Sequence, residues 1–311
     1  VLMNGMERGI MRSGLFNAIF AYMIWGLLPL YWKEFETMPA GEILSHRIIW
    51  SFIFVAGLIS LQRRWRELAG LLRNRATLLP LIASSLLITV NWLVFIWAVN
   101  NGHVVETSLG YYLTPLINVA LAIGFLREKP TGGQWLAIAL AGAGVVLVTI
   151  DYGSVPWVSL TLALSFGLYG LVKKRVTIDS SLGLMTETAV VVPAALIYWS
   201  YLGASHSATA WTLPASSLVL LLLAGAATAL PLLLFAKAAK KLPLSLLGFI
   251  QYIGPTLTLI LSVTVFEETV SHVTLISFTL IWAALIVYAA ATIRDAKAHS
   301  TALEARGGTS T

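Results

Sequence analysis

The segment SLGYYLTPLINVALAIGFLRE, residues 108–128, has a second version further along the chain, LGFIQYIGPTLTLILSVTVFEE, residues 247–268. Laying Pro115 on Pro255 also lays Tyr112 on Tyr252, Glu128 on Glu268 and Phe95 on Phe235, all 140 positions apart. An offset of 141 places Gly26 on Gly167, Lys33 on Lys174 and His46 on Glu187. One proline and one glutamate at equal spacing are weak evidence alone. Matched order of whole segments makes them a repeat.

Composition says what is repeated. Of the 311 residues, 58% are hydrophobic and only 11% charged, where soluble domains carry about 25% charged residues. Such a chain has too little polar surface to cover a water-facing exterior, so it reads as an integral membrane protein. A spanning helix needs about 20 mainly apolar residues. Ten stretches qualify or come close: 14–33, 41–61, 77–99, 107–126, 134–150, 157–172, 181–202, 215–236, 244–265 and 271–292. The first ends in LPLYWKEFE, with no small-residue cleavage site, and is expected to be a retained span and not a signal peptide. Met3, Met6 and Met11 are alternative natural starts.

The fold expected is therefore all-α, with ten transmembrane helices as two five-helix repeats, residues 14–150 and 157–293. Five is odd, so the second copy enters the bilayer from the opposite side. Inverted repeats of this kind recur in secondary transporters, with the substrate site near the midplane between the halves. If the N-terminus is cytoplasmic, every lysine and arginine except Lys33 and Arg47 falls on the cytoplasmic side, as the positive-inside rule requires. Both termini are then cytoplasmic, and the polar segment 294–311 is expected to be a disordered tail. The formal charge of +6 needs no nucleic-acid partner. The loop QRRWRELAGLLRNR, residues 62–75, is amphipathic and suits an anionic lipid surface.

Several stretches resemble a known family. AYMIWGLLPLYWK, EILSHRIIWS, NWLVFIWAVNNGHVVETSLGYYLTPLINVAL and LGFIQYIGPTL look like the RarD group of the EamA branch, within the drug/metabolite transporter superfamily. The likeness runs from about residue 14 to 293. It implies two inverted five-helix repeats, a multi-pass protein of the bacterial inner membrane, and transport of small metabolites, often outward. The group label is tied to chloramphenicol sensitivity; amino acids or related compounds, and drugs such as chloramphenicol, are the substrates to consider.

Candidate site residues follow from polarity at membrane depth. A charge at the bilayer centre costs about 2.5–3.5 kcal/mol on insertion scales, so intramembrane ionisable residues are usually functional. Glu42 and His46 are four apart and share a helix face, with Arg47 about 100° further round. Arg47 should lie roughly 9 Å inside span two, as a cationic anchor for an anionic substrate group with Glu42 or His46 as partner or proton acceptor. The competing reading is structural: Glu42 neutralises Arg47. Glu187, at the position matching His46, would sit at the opposite mouth of one cavity, the two alternating in contact with substrate or proton, or else only hydrogen-bonding nearby backbone.

Trp25, Asn91, Trp92, Tyr111, Tyr112, Gln251 and Tyr252 form a second layer, as cavity lining or as glue between helices, since an unpaired buried amide is costly. Trp32, Trp50 and Trp157 read as interfacial belt residues. Pro115 and Pro255 are the expected hinges, with Gly110 and Gly254 nearby. The chain has no cysteine and no Walker, GxGxxG or HExxH motif, so no cofactor and no metal are expected. The partners expected are a small-molecule substrate, the lipid bilayer and protons as a candidate coupling ion, for a monomer or homodimer. Two rivals stand beside transport: a membrane-embedded lipid-modifying enzyme, which would need a clustered acid–base constellation, and a non-transporting subunit, which would need no polar cavity.

Overall fold

The computed structural model describes residues 5–35, 37–100, 104–151, 153, 157–205, 207–265 and 271–307. Among these residues the chain is 89% helical, with no strand. The helices are α1 (Gly5–Lys33), α2 (Ala40–Leu61), α3 (Trp65–Arg73), α4 (Arg75–Asn100), α5 (Val104–Leu126), α6 (Gly132–Asp151), α7 (Trp157–Arg175), α8 (Ser180–Ala204), α9 (Ala215–Lys241), α10 (Leu244–Gln251), α11 (Ile253–Thr264) and α12 (His272–Gly307), with a 3₁₀ turn at Thr209–Thr212.

Eight described segments are long and apolar enough to cross a membrane, and Gly110–Leu126 adds a shorter apolar helix. Each of the ten expected stretches falls on a helix or, at 244–265, on the pair α10 and α11. The stretch that falls short is α7, whose 19 residues end in Lys173, Lys174 and Arg175. Apolar side chains face outward along the bundle, among them Phe16, Leu79, Ile150, Ile197 and Ile286. In water such a surface would aggregate; in hydrocarbon it is the required exterior.

Three elements depart from the sequence reading. The stretch 244–265 is broken between Gln251 and Ile253. Pro255 has no N–H to give the carbonyl of Gln251, four residues back, and its ring crowds that carbonyl. α5 by contrast runs unbroken through Pro115. The segment after Arg294, expected to be disordered, continues α12 to Gly307. DAKAHSTALEAR is rich in strong helix formers, and extending an existing helix avoids the cost of nucleating one. The amphipathic loop contains α3, which buries Leu68.

Outside the spans, Arg64 joins three elements. Its guanidinium lies 2.8 Å from Glu67 of α3 and 2.9 Å from Asp179. Asp179 in turn caps α8, accepting from the Ser181 amide at 2.9 Å. Burial raises the Asp179 carboxyl, but the Ser181 bonds and the Arg64 charge outweigh it and hold its pKa below the ordinary value.

Packing is set by close approaches. α6 packs along α12 and α2 along α8; α1 rests on α9 and α11, while α7 rests on α4 and α5. Gly26 of α1 leaves room for Leu257 of α11, and Gly167 of α7 leaves room for Ile117 of α5. Small residues at such crossings are how membrane helices gain van der Waals contact without a hydrophobic drive.

The tightest crossing is at Gly225 of α9, where an added Cβ would overlap the Trp50 carbonyl of α2. Backbone cannot rotate away, so Gly225→Ala should lower stability by about 1–3 kcal/mol, the usual range for overpacking. At Gly142, mid-α6, a Cβ meets nothing within 4 Å, and Gly142→Ala should not lower the melting temperature. Thermal unfolding of the two variants in detergent checks the contrast.

Candidate functional site: a caged arginine and a buried ion pair

Arg47 is 8% exposed. Its guanidinium lies between two indoles, 4.6 Å from the Trp32 ring centroid and 4.9 Å from that of Trp92. Nε donates to Thr228 Oγ1 at 3.2 Å. The cage draws on α1, α2, α4 and α9, which is why the close α2–α9 crossing bears on it. Tyr31 and Tyr111 are near enough to interact with the charge. No ion pair to Arg47 is found among the described residues.

Glu42, the nearest acidic residue along α2, is fully buried and turned to another task. Its two oxygens accept from the backbone amides of Ala210 at 2.8 Å and Thr209 at 3.0 Å. The carboxylate holds the 3₁₀ turn that closes the α8–α9 connection.

His46, one turn on from Glu42, is buried and stands edge-on to Trp199. Its Nδ1 accepts from Trp50 Nε1 at 3.2 Å, which assigns the ring proton of the neutral imidazole to Nε2. Nε2 is buried without a partner. Trp32 and Trp50, read from sequence as belt residues, are thus engaged with Arg47 and His46; Trp157 is 54% exposed.

Glu187 of α8 is 3% exposed and pairs with Lys173 of α7, itself 4% exposed, at 2.6 Å. Ser84 of α4 donates to Glu187 Oε1, and Ser85 donates to the Glu187 backbone carbonyl at 2.7 Å. Oε2 has no partner. From sequence, Lys173 falls just past the end of the stretch 157–172, among the cytoplasmic cations. Nothing in the spacing marks a lysine on one helix as the partner of a glutamate fourteen residues later on its neighbour.

The remaining polar candidates mostly join helices. Asn91 donates to the Leu162 carbonyl at 2.9 Å and to Ser165 at 3.0 Å, tying α4 to α7. Gln251 accepts from Asn118 at 3.1 Å, and Tyr252 donates to the Tyr112 carbonyl at 3.3 Å, both between α5 and the α10–α11 break. Trp25 belongs to an aromatic cluster with Tyr22, Phe166 and Phe235. Tyr111 packs on Phe95. Thr228, Lys173, Ser84 and Asn118 are site residues that sequence reasoning did not single out.

A small cavity of about 10 Å³, room for one water, has Glu187 at one wall and Trp92 at another. Among the described residues no group of three or more His, Asp or Glu is placed to hold a metal ion.

Because Glu42 satisfies two otherwise buried amides, Glu42→Ala should destabilise the fold by at least about 1–3 kcal/mol, the cost of stranding a buried polar group. Glu42→Gln keeps an acceptor oxygen and should be milder. Thermal melts of both variants decide this; equal stability of Glu42→Ala and the native chain would sink the structural role.

With this geometry in hand, comparison with known proteins is informative. The EamA-like transporter family matches residues 12–150. The chain is similar to the uncharacterized transporter YojE of Bacillus subtilis, at 44% identity over 94% of this chain and 100% of that one. It is 43% identical to protein RarD of Escherichia coli, over 89% of this chain and 94% of the relative. The chloramphenicol-sensitive protein RarD of Pseudomonas aeruginosa is 30% identical over the same shares. A solved crystal structure superposes with a TM-score of 0.70 over 89% of this chain and 97% of its own, at 17% identity, a likeness of fold alone. The chain is a multi-pass protein of the bacterial inner membrane and belongs to the EamA-like transporter family, within the drug/metabolite transporter superfamily.

Proposed function

We propose that the protein is a secondary transporter, working by alternating access between two inverted five-helix repeats at 14–150 and 157–293, with both termini cytoplasmic. The repeat reading draws support from the packing. Gly26 and Gly167 are repeat-matched, and so are the residues they admit, Leu257 and Ile117, which are 140 apart. The family match over 12–150 covers nearly the same residues as the first repeat. Pro115 and Pro255, with the helix break beside Pro255, serve as the hinges.

The substrate is a small metabolite bearing an anionic group, an amino acid or related compound, moved outward. Arg47 carries this reading: a buried guanidinium caged by indoles, with its nearest carboxylate already committed elsewhere. Arg47 is the anchor, and Trp32, Trp92 and Tyr111 frame it. Trp25, Asn91, Tyr112, Gln251 and Tyr252 shape or brace the surrounding pathway, while His46 and Glu187 are the groups that would exchange protons with it. A drug such as chloramphenicol is a further substrate to test, on the name of one relative. A lipid-modifying enzyme fits less well, because the ionisable groups divide between two sites, and a packed subunit gives the buried Arg47 no use.

Counterflow in proteoliposomes, run with labelled amino acids, other small carboxylates and chloramphenicol, tests the reading. Arg47→Ala should reduce transport of any accepted anion at least about tenfold without loss of folded protein, as when one partner of a buried charge pair is removed. Arg47→Lys should also be impaired, because an ammonium cannot present the guanidinium fork. Full transport by Arg47→Ala would eliminate the anchor. Single cysteines at positions 25, 47, 92 and 187 should label from water; uniform protection would favour the packed subunit.

A further inference from the structure

The Lys173–Glu187 pair is an odd thing to bury. Two charges taken from water are repaid only if the remaining hydrogen-bonding capacity is also filled. Here it is not. The ammonium has three N–H groups, and its neighbours are one carboxylate oxygen and the Tyr169 ring, 5.3 Å away. The second oxygen of Glu187 has no partner.

The surroundings add a second observation. The pair stands between two small cavities of about 10 Å³ each, Lys173 lining one and Glu187 the other. One is the space shared with Trp92, whose indole covers Arg47. The other lies beyond Lys173 and is lined by Asp179, Gly183 and Lys240. That second space is at the end of the bundle carrying Lys174, Arg175 and Lys241, which the charge distribution assigns to the cytoplasm. An offset of 141 gives the third observation: Lys173 matches Trp32, and Glu187 and Thr188 match His46 and Arg47. The repeat thus builds one cation at the α1–α2 pair and another at the α7–α8 pair.

We propose that Lys173 is a second anion-binding residue, whose occupant in this conformation is the Glu187 carboxylate, displaced when the anionic group of a substrate arrives. Glu187 acts as an internal substitute for that group. While it holds Lys173 the passage between the two cavities is shut, and the empty site keeps no unpaired ammonium. A carboxylate, sulfonate or phosphate entering from the Lys240 side takes over the Lys173 contact and frees Glu187, opening the way to Arg47. An anion is therefore passed between two cations without crossing the apolar interior unpaired. This rests on the transporter reading for what supplies the anion.

Gly183 offers a probe that leaves the pair intact. A Cβ added there would lie 3.7 Å from Lys173 Nζ and 3.6 Å from Leu81 Cδ2, ordinary contacts, and the chain has no other cysteine. Gly183→Cys is labelled with an anionic reagent, sulfonatoethyl methanethiosulfonate, and with its cationic trimethylammonioethyl counterpart. With Glu187 present, the two rates should be similar and slow. Adding Glu187→Gln should favour the anionic reagent at least about tenfold, as expected for an uncompensated charge a few ångströms away at an effective dielectric near 20. Adding Lys173→Gln as well should abolish that preference.

No charge preference in Gly183→Cys/Glu187→Gln, or a preference that survives Lys173→Gln, overturns the proposal. Should Glu187→Gln fail to fold, adding Lys173→Gln to Gly183→Cys with Glu187 retained must shift the preference toward the cationic reagent. Absence of that shift is equally fatal. Labelling needs no turnover. A charge preference without transport of any compound would therefore leave the Lys173 site standing and sink the transporter reading, and transport without a charge preference would do the reverse.

Discussion

A carboxylate taken out of water is tolerable only to the degree that its oxygens are used, and three glutamates show that constraint being met to different extents. Glu42 directs both oxygens to backbone amides. Glu128, on the α5–α6 connection, accepts from the Leu244 amide at 2.8 Å and from the Ser245 hydroxyl at 2.5 Å, so it caps the first turn of α10, where unpaired amides and the helix dipole favour negative charge. Both fasten a helix or turn to a distant part of the chain. Glu187 alone has an oxygen left over. The first two are fasteners; the third keeps an unpartnered oxygen and lines a small cavity.

Much of this was legible in the chain. Hydropathy located the helices because the hydrocarbon solvent admits little else. The repeat-matched Pro115 and Pro255 pointed to the region where Gln251 and Tyr252 now brace α5. What spacing could not show is which polar group meets which across helices. Glu42 and Arg47, five apart on one helix, look like a pair, yet each turns to a different neighbour. Lys173 looks like one of three loop cations, because sequence gives the count of a basic cluster and not the depth of each member. Trp32 has the position of a belt residue, and only packing shows it covering a guanidinium.

The broken ninth stretch is instructive in another way. Pro115 and Pro255 match in sequence, but only the second interrupts its helix. Proline removes one backbone bond in either place, and the interruption at Tyr252 is a single residue whose backbone stays helical. At 251–253 the neighbourhood holds Asn118, bonded to Gln251, and Tyr252 reaching to the Tyr112 carbonyl.

The aromatic cage around Arg47 bears on why a charge can stay free at this depth. A desolvated cation–π contact is worth about 2 kcal/mol, and placing an arginine at the bilayer centre costs about 2.5–3.5 kcal/mol. Two indoles can therefore offset most of the burial cost. A carboxylate would do so too, but it would cancel the charge. Tryptophan faces leave the net charge in place. A guanidinium can bind a carboxylate through two parallel hydrogen bonds. Lys173 is handled in the opposite manner, with its charge cancelled by Glu187. One cation is bordered by aromatic faces and keeps its net charge, while the other is neutralised by an acid.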